Sequence, residues 1–93
     1  MRDQIDISKR ARKDLKKVPK HIVKTFQRWA LLVEEVGLVE VRKIKGFHDE
    51  PLVGDRSGQR SVRLSKAYRL FYVALPDGEI NIVNVLEVNK HEY

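Results

Sequence analysis

Two arginines stand where a charge is costly. Arg63 and Arg69 fall in the apolar-rich segments Arg60–Leu64 and Tyr68–Leu75. A charge inside a strand loses hydration unless it is paired or faces solvent or a ligand. Glu50 precedes them in a loop, just before Pro51, and His91 follows the last apolar run, two residues from Tyr93. Arginines neutralise phosphate, while a carboxylate and a histidine can move protons. A site that only binds a polyanion is weakened by a carboxylate; a site that cleaves one needs a proton acceptor. Arg60 and Lys90 add general positive charge, and Tyr93 offers a ring on which a base can stack. His21 lies among basic residues, His48 lies in the loop, and Tyr68 and Tyr72 are expected to pack. Arg56, between Gly54 and Gly58, is left as a backbone-phosphate contact or no contact at all.

Other chemistries find no residues to carry them. The chain has no cysteine, so disulfides and thiolate metal sites are excluded. No glycine-rich phosphate loop, Cys/His metal spacing or legible Ser-His-Asp pattern is present. No metal and no cofactor are expected. The opening Met1-Arg2-Asp3-Gln4-Ile5-Asp6 contains no apolar signal, and runs such as Trp29–Val33 are far too short to span a bilayer. A soluble cytoplasmic protein with no membrane partner is expected.

The charge points to partners. The formal net charge is +6 and the pI about 9.8, which favours phosphate backbones, anionic membranes or acidic proteins. The excess is concentrated: Lys9 to Arg28 holds nine basic residues against one acid, Asp14. That density exceeds what solubility requires and argues for a polyanion-facing surface.

The elements that position these residues follow from periodicity. Ile5 and Ile7 alternate with polar residues as a short strand. Ser8 can cap a helix whose narrow stripe is Ala11, Leu15 and Val18. Pro19 suits the first turn of a second helix, in which Ile22, Phe26, Trp29 and Val33 recur at helical spacing and Gly37 makes the stop. Residues 38–46 fit either a short helix or an irregular crossing, and 46–58 reads as a loop. Arg60–Leu64, Tyr68–Leu75 and Glu79–Val88 then predict an antiparallel meander of at least three strands, with a turn at Pro76-Asp77-Gly78. The expectation is one α+β domain over residues 1–93. Its N-terminal strand joins the sheet, its helical hairpin packs on one face, and the other face stays partly open.

The segment Glu50-Pro51-Leu52-Val53-Gly54, then Gly58, Ser61, Arg63-Leu64 and Tyr68-Arg69-Leu70-Phe71-Tyr72, resembles the central block of the RelE/ParE toxin superfamily. It is most similar to the RelE, YoeB and HigB type of messenger-RNA-cleaving toxins, and the ending Lys90-His91-Glu92-Tyr93 resembles their His/Tyr ending. In the YoeB pattern the His and Tyr are adjacent, whereas here Glu92 separates them. The resemblance implies the toxin of a type II toxin–antitoxin pair, an endoribonuclease that cleaves messenger RNA on the ribosome through 2′-hydroxyl attack and so inhibits translation. An antitoxin protein, messenger RNA and the ribosome are the implied partners. By match, Glu50 falls on the base, Arg69 on the transition-state arginine, Arg63 on a second phosphate-binding arginine and His91 near the general acid. Lys90 and Tyr93 remain alternatives for that acid. The ParE branch shares the fold without this acid–base set and acts on DNA gyrase. A gyrase inhibitor and a non-catalytic nucleic-acid-binding domain are therefore the competing expectations.

Overall fold

Residues 3–77 and 80–90 are described by the computed structural model. The first strand, β1 (Gln4–Ile7), leads into α1 (Lys9–Lys17) through Ser8, whose hydroxyl accepts from the Ala11 N–H at 3.0 Å. α1 stops because Val18 precedes a proline, which pushes it into extended backbone at φ −83°, ψ 157°. α2 (Lys20–Val36) follows, with Pro19 as its N-cap rather than within its first turn. It ends at Gly37, whose φ of 90° is one that L side chains rarely adopt. Residues 38–42 resolve as a short helix, α3 (Leu38–Arg42), whose Leu38 N–H is taken by the Asp3 carboxylate at 2.7 Å. No helix among the described residues is long and apolar enough to cross a membrane.

The strands make a five-stranded sheet in the order β1-β5-β4-β3-β2. β2 is Glu50–Pro51, β3 Arg60–Arg63, β4 Tyr68–Asp77 and β5 Ile80–Lys90. β1 runs parallel to β5 and the other pairs are antiparallel. This is the expected α+β arrangement. The segment read as a loop holds an edge strand of two residues flanked by the 3₁₀ turns Lys45–Phe47 and Gly54–Arg56.

One sheet face is buried under the helices. Val62, Leu70, Tyr72, Val83, Val85 and Val88 pack there against Ile22, Phe26, Trp29 and Val33 of α2. β5 carries a bulge: Phe71 pairs with Glu87 and Tyr72 with Val85, which leaves Leu86 unpaired. One extra residue reverses the alternation of all that follows. Val83 and Val85 therefore face the helices, as does Val88, while Glu87 and Asn89 turn to the open face. The alternation through Ile80 and Ile82 suggested otherwise: Ile82 is only half-buried, and the neighbouring Val83 is in the core. Beyond β1 the exposed edge of β5 is covered by α1. Asp14 accepts the Val88 N–H at 3.0 Å, and Ser8 donates to the Leu86 carbonyl at 2.8 Å.

Candidate active site on the open sheet face

Register aligns the open-face side chains in two rows. Glu50, Ser61, Phe71 and Glu87 pair across β2, β3, β4 and β5; Arg63, Arg69 and Asn89 form the next row. Glu50 and Arg69, nineteen residues apart in sequence, meet here. The Arg69 guanidinium lies 3.4 Å from Glu50 Oε1 and donates to Ser61 Oγ at 2.9 Å. Ser61 is fully buried, and the Arg69 side chain is 18 % exposed against 46 % for Glu50. The arginine is thus fixed from below, and the carboxylate stands at the rim. His48, in the left-handed conformation at φ 45°, brings its Nε2 to 3.5 Å from Glu50 Oε2.

A second cluster adjoins the first. Arg56 lies over the Phe71 ring at 4.4 Å and donates to Glu87 at 2.9 Å and to Gln59 at 2.9 Å. Glu87 also receives a short hydrogen bond from Asn89 and faces Arg10 of α1 at 3.7 Å. The guanidinium over an aromatic face, beside the Glu50–Arg69 pair, is a surface on which a nucleobase can stack.

The remaining expected site residues are not all gathered here. Arg63 is opposite Arg69 in register and exposed, and it borders a cavity of about 210 Å³ with Arg28, Ile44 and Phe47. Arg60 is on the other side of the sheet: it shares parity with Val62 and bonds Asp49 at 2.6 Å. Burial alone would lower its pKa, but the hydrogen bond and charge of Asp49 outweigh that and raise it above the usual arginine value. This commitment to a nearly buried carboxylate keeps Arg60 away from Arg69. Lys90 pairs with Tyr68, has the parity of Val88 and is exposed. His91 and Tyr93 lie outside the described residues.

Five side chains beside the Glu50–Arg69 pair were given no place in the site from sequence: His48 and Glu87, Ser61 and Phe71 of the resembling block, and Arg56, left as a phosphate contact or none. His48 carried no legible signal, because it reaches Glu50 from left-handed backbone outside β2. Nor did Arg56 and Glu87, whose meeting depends on the 3₁₀ turn and the bulge.

Residues 5–92 match the ParE toxin family of type II toxin–antitoxin systems, parDE. The chain belongs to that family. Its fold is that of the RelE, YoeB and YafQ toxins. The toxin–antitoxin complex RelBE2 from Mycobacterium tuberculosis has a similar chain, 25 % identical over 98 % of this chain and 100 % of that one, with a TM-score of 0.68. YafQ from E. coli strain BL21(DE3) is 20 % identical over 98 % and 94 %, with a TM-score of 0.74. The YoeB–YefM complex from Staphylococcus aureus has a similar chain, 22 % identical over 99 % and 100 %, with a TM-score of 0.69. No curated protein matches the chain in sequence.

Proposed function

We propose that this toxin is an endoribonuclease that cleaves messenger RNA at the ribosome by driving the RNA's own 2′-hydroxyl against the adjacent phosphate. The observation that carries this reading is the rim carboxylate of Glu50 held 3.4 Å from Arg69 on an uncovered sheet face. Glu50 takes the 2′-hydroxyl proton, the 2′-oxygen attacks phosphorus, and the bond to the 5′-oxygen breaks. The products are a 2′,3′-cyclic phosphate and a 5′-hydroxyl. Arg69 stabilises the charge that builds on the phosphorane, since fixed donors aimed at developing charge act most strongly there. His91 protonates the leaving oxygen, Arg63 and Tyr93 hold the RNA, and exposed Lys90 at the end of β5 adds positive charge that attracts it. Expression of the chain alone should stop growth and amino-acid incorporation, and Arg69→Ala should do neither. Equal toxicity of the variant at equal protein level removes Arg69 from the site. Growth arrest with incorporation intact and DNA synthesis halted would replace the nuclease by a gyrase inhibitor.

The partner that restrains it is an antitoxin, as in the two complexes named above. A groove of about 470 Å³ between β1, α1 and α2 is lined by Ile5, Ile7, Leu15, Phe26, Ala30 and Leu31. Leu31 is 55 % exposed, and the hairpin around it carries the basic excess from Lys9 to Arg28. An amphipathic antitoxin segment bearing acids complements both features. Covering the exposed half of Leu31 contributes ~0.8–1.5 kcal/mol, on the order of 4- to 12-fold in affinity. Leu31→Glu should lose that much in titrations with the neighbouring gene's product, and wild-type affinity should fall as salt rises. Unchanged affinity of Leu31→Glu would put the antitoxin elsewhere; affinity indifferent to salt would leave an apolar interface.

A further inference from the structure

We infer that Asp49 is the positioning residue for Glu50, a buried anchor that fixes the edge strand carrying the proposed base. The inference rests on Glu50 acting as that base. Adjacent residues of an extended chain point to opposite faces, and here the two faces have different tasks. Glu50 looks onto the open face, where its contacts to Arg69 and His48 are long, 3.4 and 3.5 Å. Its own side chain therefore does little to hold β2 in place. The backbone ladder is equally thin. β2 has only two residues in register, Glu50 with Ser61 and Pro51 with Arg60; Pro51 has no N–H to donate, and one further backbone bond follows it, from the Leu52 N–H to the Gln59 carbonyl at 2.9 Å.

Asp49 supplies what the ladder lacks. Its side chain is 1 % exposed. Arg60 Nε donates to one carboxylate oxygen at 2.6 Å, and the Tyr72 hydroxyl donates to the other at 2.6 Å. Arg42 of α3 donates to the Tyr72 hydroxyl at 3.1 Å, and the Tyr72 ring packs against Trp29 with centroids 5.6 Å apart. Burial, reinforced by the bond to Asp49 and partly opposed by Arg42, pushes the Tyr72 phenol up to about 12, so it stays a donor at neutral pH. One carboxylate thus ties the edge strand to β3, to β4 and through them to two helices. A displacement of about 1 Å at a reacting group costs on the order of 10²-fold in rate, so the anchor matters most for the residue beside it.

A residue that only stabilises the fold would slow every form of the enzyme alike, whereas a residue acting through Glu50 loses its effect once Glu50 is gone. The experiment is a cycle of wild type, Asp49→Asn, Glu50→Gln and the double variant in single-turnover RNA cleavage. RNA affinity and thermal melting are measured on each. Asp49→Asn keeps the shape and drops the charge. It should slow cleavage by roughly 10- to 100-fold with RNA affinity unchanged, and it should add nothing to Glu50→Gln. Tyr72→Phe removes one of the two bonds and leaves the Arg60 pair. It should repeat the pattern with a smaller factor, and it carries the cycle if Asp49→Asn does not fold. An equal slowing in the wild-type and Glu50→Gln backgrounds overturns the inference, as does a wild-type rate in Asp49→Asn. A wild-type rate in Glu50→Gln alone instead overturns the base assignment itself.

Discussion

Glu50→Gln is expected to slow the chemical step of RNA cleavage by about 10²–10⁴-fold, the range typical of a general acid or base, and to leave RNA binding intact. The amide keeps the size of the carboxylate and can still accept from Arg69, so the change removes the proton acceptor and little else. His91→Gln is expected to have an effect of the same order on protonation of the leaving oxygen. Arg63→Ala is expected to differ in kind: it weakens binding, and its effect shrinks at high salt because phosphate contacts are electrostatic. The measurement is single-turnover cleavage of a messenger RNA on ribosomes, beside a matched substrate with a 2′-deoxy residue at the cut. Normal cleavage of the deoxy substrate would rule out 2′-hydroxyl attack. Unchanged rates in both Glu50→Gln and His91→Gln would sink the acid–base assignment and leave a nuclease run by arginine, lysine and tyrosine, or none.

The parts of the fold written in strong local signals were legible. The helical hairpin follows from the spacing of Ile22, Phe26, Trp29 and Val33, bounded by Pro19 and Gly37. The strand position of Arg63 follows from the alternation of Arg60–Leu64, and that of Arg69 from the aromatic and aliphatic run Tyr68–Leu75. What stayed hidden depends on partners distant in sequence. β2 is too short to have a period, and a Glu-Pro pair reads as loop. The bulge at Leu86 has no mark in the sequence, yet it decides that Glu87 and not Val88 reaches the open face. Arg60 shows the same limit from the other side. It was read from sequence as general positive charge toward RNA, whereas its parity with Val62 turns it to the core side, where a charge is tolerable only with a partner. That partner, Asp49, lies eleven residues earlier. The meeting of Glu50 with Arg69 was available from resemblance alone; the register that produces it needed the edge strand.

Trp29→Ala should be the most damaging change to the fold, and its effect should reach the site. Trp29 is fully buried and touches Phe26 and Tyr72 at centroid distances of 6.2 and 5.6 Å. Removing such a side chain costs ~3–5 kcal/mol through lost burial and the cavity left behind, a large share of the ~5–15 kcal/mol that holds a typical domain together. For a chain of this size each kcal/mol moves Tm by roughly 4–8 °C, so the variant should melt at least ~12 °C lower. Trp29 also carries a weakness: its indole N–H is buried and finds no hydrogen-bond partner among the described residues. Leaving a buried donor unpaired costs ~1–3 kcal/mol. Trp29→Phe deletes that donor and keeps most of the ring, so its cost should be far below that of alanine. Equilibrium urea unfolding of the three proteins gives both numbers. An alanine variant within about 1 kcal/mol of wild type would mean that the sheet and helices do not depend on this contact. A phenylalanine variant as unstable as alanine would mean that the orphaned N–H is no liability. Because Trp29 packs on the Tyr72 ring whose hydroxyl holds Asp49, the alanine variant should also cleave RNA more slowly at temperatures where it remains folded. Trp29→Phe should stay near the wild-type rate.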